Sequence, residues 1–260
     1  MKNIRAKLQI IDILSSCRVD RTTPTGVCLK RGENMKKTII YHGSQNIIEK
    51  PIFGYGKSYN DYGLGFYCTE SLDLAKEWAV NSEQSGYANK YELDMEGLAV
   101  LYLNKEPYCI LHWLALLLNN RKFETSIPLA RSAKEYLLRV FLPDISTYDI
   151  IIGYRADDSY FSYAQDFISG AISYRQLNAA MHLGELGEQI VLKSEKAFNR
   201  LKFLGCEYAD KEEWYVKKAA RDAQARKKYL SSERNAFQKG ELYITRILEE
   251  EMKSDDTRLR

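Results

Sequence analysis

Nowhere does the chain run to about eighteen consecutive apolar residues, so no segment is long enough to cross a bilayer as a helix. Histidine is scarce: His42, His112 and His182 lie far apart and without paired cysteines, which excludes a zinc site of the usual ligand spacing. The five cysteines are odd in number and contain no C-x-x-C. That argues against a disulfide framework and for a reducing, cytoplasmic compartment. Only five prolines and fifteen glycines in 260 residues exclude collagen-like and low-complexity designs. Nor is there a large charge excess: 38 Lys+Arg stand against 35 Asp+Glu, a net charge of +3, so any surface for nucleic acid has to be local. The start imitates a signal peptide, but Gln9 and Asp12 interrupt its apolar part and no small-residue cleavage site follows.

What is present suits a folded domain. Hydrophobic residues make up 45% and aromatic residues 12% of the chain, which rules out disorder for its bulk. Nineteen tyrosines against nine phenylalanines tilt it toward amphipathic rings, the kind used in polar clefts and at interfaces. Residues 1–34 look foreign to the rest. Arg31-Gly32-Glu33 before Met35 is encodable by a purine-rich stretch of the ribosome-binding type, so Met35 is the expected natural start and 1–34 a translated leader; an ordinary N-terminal extension is the alternative.

Short strands and helices then follow without a βαβ rhythm. Strands are expected at Thr38–Tyr41, Gly65–Thr69, Tyr91–Asp94, Leu98–Leu103, Tyr148–Ile152 and Gln189–Lys193. Gly54–Gly65 reads as a loop of several turns. Helices are expected at Leu72–Asn81, capped by Ser71 or Thr69, at Tyr108–Asn120, which is apolar all round, and at Leu129–Phe141, stopped by Pro143. Further helices follow at Phe161–Ser169 and Tyr174–His182, and most of Lys211–Met252 is helical and charged. The class is α+β.

Two familiar phosphate motifs fail. Gly56-Lys57-Ser58 ends like a P-loop, but Pro51 stands where the first glycine belongs. Gly63-Leu64-Gly65 lacks the third glycine of a dinucleotide fingerprint, Cys68 standing in its place. What survives is a three-part constellation. Tyr41-His42-Gly43-Ser44 ends the first strand, Gly63 to Ser71 forms a strand entering a helix, and Gly187-Glu188-Gln189-Ile190-Val191-Leu192 lies in a late strand. Taken singly, each has a structural explanation: His42 as a hydrogen-bonder, Tyr67 as packing, Glu188 as a solvated carboxylate.

Together, in this order, they resemble the ADP-ribosyltransferase superfamily, in its His-Tyr-Glu branch that includes the poly(ADP-ribose) polymerases. Met35 to about Gly205 is similar, more closely, to a bacterial domain-of-unknown-function family within that superfamily. The segments carrying this are Asp61–Tyr67, Trp113-Leu114 with Asn120-Arg121, Ile151–Asp158 and Gln189–Ala197. The resemblance implies a split β-sandwich of two small sheets gripping NAD, with inserted helices, no metal, and a charged helical tail over 206–260. It implies transfer of ADP-ribose from NAD to a protein or nucleic acid, as a toxin in a toxin–antitoxin or phage-defence system with a small antitoxin partner. Hydrolysis of NAD, or an inactive NAD-fold module that binds nucleic acid or a partner, are the alternatives.

The chemistry explains the residue types. Cleaving the nicotinamide–ribose bond builds positive charge on the ribose, as at an oxocarbenium-like glycosidic transition state, and a nearby carboxylate stabilises it. An aromatic face, Tyr67, stacks on the cationic nicotinamide, and the backbone of Gly43 meets its carboxamide. By resemblance, His42 hydrogen-bonds a ribose and Ser44 supports the carboxamide. Adjacent strand residues face opposite ways, so only one of Glu188 and Gln189 enters the cleft. The polymerases' Glu-x-Ile-Val pattern favours Glu188, the Glu-x-Glu transferases favour Gln189, and on chemistry the expectation is Glu188. Arg121 is a candidate for the NAD pyrophosphate or a helix-end cation; Asp157 and Asp158 are candidates for orienting a ribose or acceptor, or for a helix cap. Lys217 to Lys239 holds eight basic residues against Asp222 and Glu233, with Tyr229 and Phe237 interleaved, and is either a track for a phosphate backbone, a solvated face or a partner's docking helix.

Overall fold

A computed structural model describes residues 37–155, 158–183, 187–233 and 239–259. The expected leader, residues 1–34, lies outside them.

Beta-branched and aromatic residues in Lys37–Ser44 (β1) make a full eight-residue strand, so His42, Gly43 and Ser44 are inside it rather than past its end. It pairs antiparallel with Gly86–Asp94 (β3), and β3 pairs antiparallel with Leu201–Ala209 (β7), giving a sheet of order β1-β3-β7. The second sheet runs Phe66–Cys68 (β2), Glu188–Leu192 (β6), Ile150–Tyr154 (β5), Val100–Tyr102 (β4), all antiparallel except the parallel β4–β5 pair. Tyr41 and Thr69 exchange backbone hydrogen bonds of 2.8 and 2.9 Å and so bridge the two sheets. Between the sheets lies one apolar cluster, with Ile40, Tyr91 and Leu93 from the first and Cys68, Ile150, Ile190 and Leu192 from the second.

Strand β7 escapes the sequence pattern. Gly205 at φ 132° interrupts it, and the ladder slips there, Lys90 facing Gly205 and Tyr91 facing Phe203, so Leu204 is the extra residue of a bulge. Its side chains alternate only weakly between buried and exposed, which hides the period of two.

Helix Leu72–Ala79 (α1) packs on β1 and β3 of the first sheet, and the other face of the second sheet carries most of the remaining helices. Helix α1 is capped by Ser71, whose hydroxyl accepts from the Leu74 amide at 3.2 Å. Ile110–Asn120 (α2) is buried from Ile110 through Leu118, and Pro128–Phe141 (α3) packs beside it with proline in its first turn. Asp158–Ile168 (α4) and Tyr174–Ala180 (α5) complete this layer, and Glu195–Phe198 (α6) is a single turn before β7. The expected tail boundary at 206 falls inside β7, and the first tail helix starts at Lys211. The tail includes Lys211–Lys228 (α7), a π-helical turn at Tyr229–Glu233, and Ile244–Glu249 (α8). Ala225, Tyr229, Ile244, Ile247, Met252 and Leu259 sit in the main apolar cluster with α2 and α3, so these segments contribute to the core. The fold is thus α+β with two small sheets. Among the described residues no helix is long and apolar enough to cross a membrane.

Candidate functional site

Where β1 and β2 meet, a cleft of about 640 Å³ opens between the sheets and the 45–65 loop. That volume suits a small-molecule ligand. His42, Gly43 and Ser44 reach it from β1, Phe66 and Tyr67 from β2, Trp78 from α1 and Gln189 from β6.

The pairing of β2 with β6 decides which late-strand residue enters. Tyr67 stands opposite Val191, so Tyr67, Val191 and Gln189 share one face, and Glu188 shares the other with Cys68 and Ile190. Gln189 lines the cleft, is 6% exposed, and its Oε1 has no hydrogen-bond partner among the described residues. Glu188 is exposed and accepts from Asn104 Nδ2. Partial burial raises its carboxyl pKa, Lys105 opposes this and Glu70 adds to it. Contrary to the expectation, Gln189 rather than Glu188 is the late-strand residue that lines the cleft.

His42 Nδ1 lies 2.7 Å from the Tyr67 carbonyl, which can only accept, so Nδ1 carries the proton and Nε2 is left as acceptor. Its ring stacks on Phe66 with centroids 4.3 Å apart. Burial lowers its pKa, the bond to Tyr67 opposing, so the imidazole is neutral at pH 7. The unfolded chain then takes the proton first as pH falls below about 6.5, and stability is lost from there down to the folded-state value. Urea midpoints at pH 7.5 and 5.5 are expected to differ less in His42→Gln than in the wild type. An equal drop in both would show that His42 takes up its proton as readily in the fold as in the unfolded chain. His112, whose pKa burial also lowers, is common to both proteins and cancels in the comparison.

Tyr67 spends its hydroxyl locally. It donates to the Gly63 carbonyl and accepts from the Tyr62 amide at 3.1 Å, and burial raises its pKa, so the ring face rather than the phenol is what it offers. Gly43 answers to packing as well as access: a Cβ there would stand 2.1 Å from the Ala75 carbonyl and 2.8 Å from the Ala79 amide. Ser44 Oγ accepts from the Asn46 amide at 3.2 Å.

Arg121 caps α2 and donates to Asp61 Oδ1 at 2.9 Å; both line the cleft, Asp61 being 5% exposed. Asn120 Nδ2 donates to the Asp61 carbonyl at 3.0 Å, and Trp113 Nε1 donates to the Tyr154 carbonyl, which also accepts from Tyr62 Oη. The separate sequence segments around Asp61, Trp113, Asn120 and Ile151 are thus one interlocked support for the cleft. Arg155, at the end of β5, also lines it, its guanidinium 4.3 Å from the Trp78 ring. Asp61, Arg155 and Trp78 were not singled out from the sequence, though each lies in or beside a motif used for the resemblance. Asp157 falls outside the described residues. Asp158 opens α4, and its side chain is likewise outside what is described. The basic helix is partly committed: Arg221 pairs with the buried Glu77 of α1 at 2.8 Å, and Lys217 with Glu213 at 2.5 Å. Among the described residues no group of three or more His, Cys, Asp or Glu is placed to hold a metal.

The cleft is thus shared by two small sheets and lined by the rings of His42, Phe66, Tyr67 and Trp78, the cations Lys57, Arg121 and Arg155, and the carboxylate of Asp61. Residues 38–203 match the model of the family described as protein of unknown function DUF3990, and the chain belongs to that family. No curated protein and no solved structure matches it significantly.

Proposed function

We propose that this protein binds NAD in the cleft, on a fold of the ADP-ribosyltransferase type, and transfers the ADP-ribose to a macromolecular acceptor. The observation that carries the reading is the convergence of His42, Tyr67 and Gln189, from three strands of two sheets, on one cleft with cationic edges. In this reading the Tyr67 face stacks on the nicotinamide ring. His42 Nε2 and Gln189 Oε1 accept hydrogen bonds from ribose hydroxyls, and the orphaned, buried Gln189 Oε1 is an acceptor that a ligand hydroxyl satisfies. Arg121 and Arg155 face the pyrophosphate. The C1′–N bond breaks with its electron pair leaving on neutral nicotinamide. A lone pair of an acceptor hydroxyl or amine forms the new bond to C1′, and the acceptor's proton passes to water. In the cell, such a transfer suits a toxin or phage-defence protein restrained by a small antitoxin, the role the sequence resemblance implies.

A second reading is favoured by Gln189 itself. A neutral amide stabilises a ribosyl cation less than a carboxylate does, which suits a module that binds NAD without turning it over. Purified protein with NAD separates these readings. Nicotinamide release with label on lysate macromolecules supports transfer, release without label means hydrolysis, and NAD binding without release means a binding module. Tyr67→Ala is expected to weaken NAD binding about tenfold, whereas Glu188→Gln leaves it within about twofold, its side chain being on the opposite face. Full nicotinamide release by the His42→Ala/Tyr67→Ala double variant would put the site elsewhere.

A further inference from the structure

The outer wall of the cleft is unusual in what it exposes. Ile52 is 69%, Phe53 50%, Tyr55 81% and Tyr59 61% exposed, a dense run of large rings and aliphatics in water on one loop. Ile52, Tyr55 and Lys57 also line the cleft; Phe53 and Tyr59 do not, and Phe53 meets the Phe198 ring edge-on with centroids 5.5 Å apart. The charge around these rings is cationic. Lys50 and Lys57 are exposed and form no ion pair among the described residues, and Lys57 Nζ lies 5.8 Å from the Tyr59 ring centroid. Of the two loop acids, Asp61 is held by Arg121, which leaves Glu49 facing solvent.

We propose that this loop is a stacking platform for single-stranded nucleic acid, and, resting on the transferase reading above, that it presents this strand as the acceptor to the cleft. Unstacked bases have planar apolar faces and a phosphate for every base. Two exposed rings four residues apart with an ammonium between them meet both needs at once. A duplex hides its base faces and has no use for the rings, and an apolar protein partner would leave Lys50 and Lys57 without counter-charge. Arg121, paired with Asp61, and Arg155 line the same cleft as Tyr55 and Lys57.

The test uses the full chain and end-labelled, mixed-sequence 12-nucleotide RNA and DNA, single-stranded and as duplexes, followed by fluorescence anisotropy across a salt series. Single strands are expected to bind more tightly than duplexes. Tyr59→Ala is expected to weaken single-strand binding about tenfold, and Lys57→Gln to lower the slope of log K against log salt by about 0.7. Label transferred from NAD to the single strand should fall with strand binding in Tyr59→Ala, while NAD binding should match the wild type, because Tyr59 is not among the residues lining the cleft. Absence of single-strand binding, equal binding of duplex, or binding indifferent to both substitutions (which would assign it to the basic helix α7) overturns the proposal. So does label from NAD that appears only in protease-sensitive, nuclease-resistant material. Loop-dependent oligonucleotide binding without nicotinamide release would instead keep the platform and remove the transferase reading.

Discussion

Gly43→Ala is expected to lower stability by about 3 kcal/mol or more, the largest loss for a single added methyl group in the cleft. The new Cβ would stand 2.1 Å from the Ala75 carbonyl and 2.7 Å from Trp78 Cβ, and the first of these is helix backbone that cannot swing aside. Ordinary overpacking costs about 1–3 kcal/mol where side chains can adjust. Here α1 must shift off β1 as a unit, carrying Trp78 out of the cleft wall. Urea unfolding of Gly43→Ala beside Ser44→Ala measures it; a loss below about 1 kcal/mol would show that α1 rides loosely on the strand. NAD binding should fall with stability, since the helix that moves is the one holding Trp78.

The second large effect concerns Gln189. Removing its amide in Gln189→Ala deletes the buried acceptor facing the ligand and is expected to reduce nicotinamide release about 10²-fold, the scale of losing one preorganised polar group at a charged transition state. Gln189→Glu keeps the shape and the acceptor but adds a negative charge where ribosyl-cation chemistry calls for one. With Lys57, Arg121 and Arg155 also lining the cleft, the carboxylate has cations in its surroundings and should stay ionised at neutral pH. Its release rate is expected to exceed the wild type's by about tenfold or more. A wild type silent toward NAD beside an active Gln189→Glu would assign the natural protein to the binding module. An inactive Gln189→Glu that still binds NAD would show that the anomeric carbon lies away from this strand position.

The sequence made the class and most elements legible because their periodicity was plain. The all-apolar run of α2 is buried as its composition requires, and Ser71 is the cap of α1. Strand β7 was invisible because a glycine bulge breaks its period, and with it went the third strand of one sheet. His42, Gly43 and Tyr67 were identified by type and order and do meet in one cleft. The choice between Glu188 and Gln189 was not legible, because it depends on which β2 residue pairs with Val191, and register across separate strands leaves no mark in either one. Arg155 was passed over because its role comes from stacking on Trp78, far away in the chain. The foreignness of residues 1–34 concerns a segment outside the described residues.

The Tyr41–Thr69 bridge has a consequence for how the cleft responds to what fills it. His42 hangs from one sheet while Tyr67 and Gln189 hang from the other, and among the described residues the backbone seam joining β1 to β2 is this single pair of hydrogen bonds. A ligand touching both sides acts as a clasp across that seam, and its affinity is felt as stability of the whole fold, growing with the logarithm of its concentration over Kd.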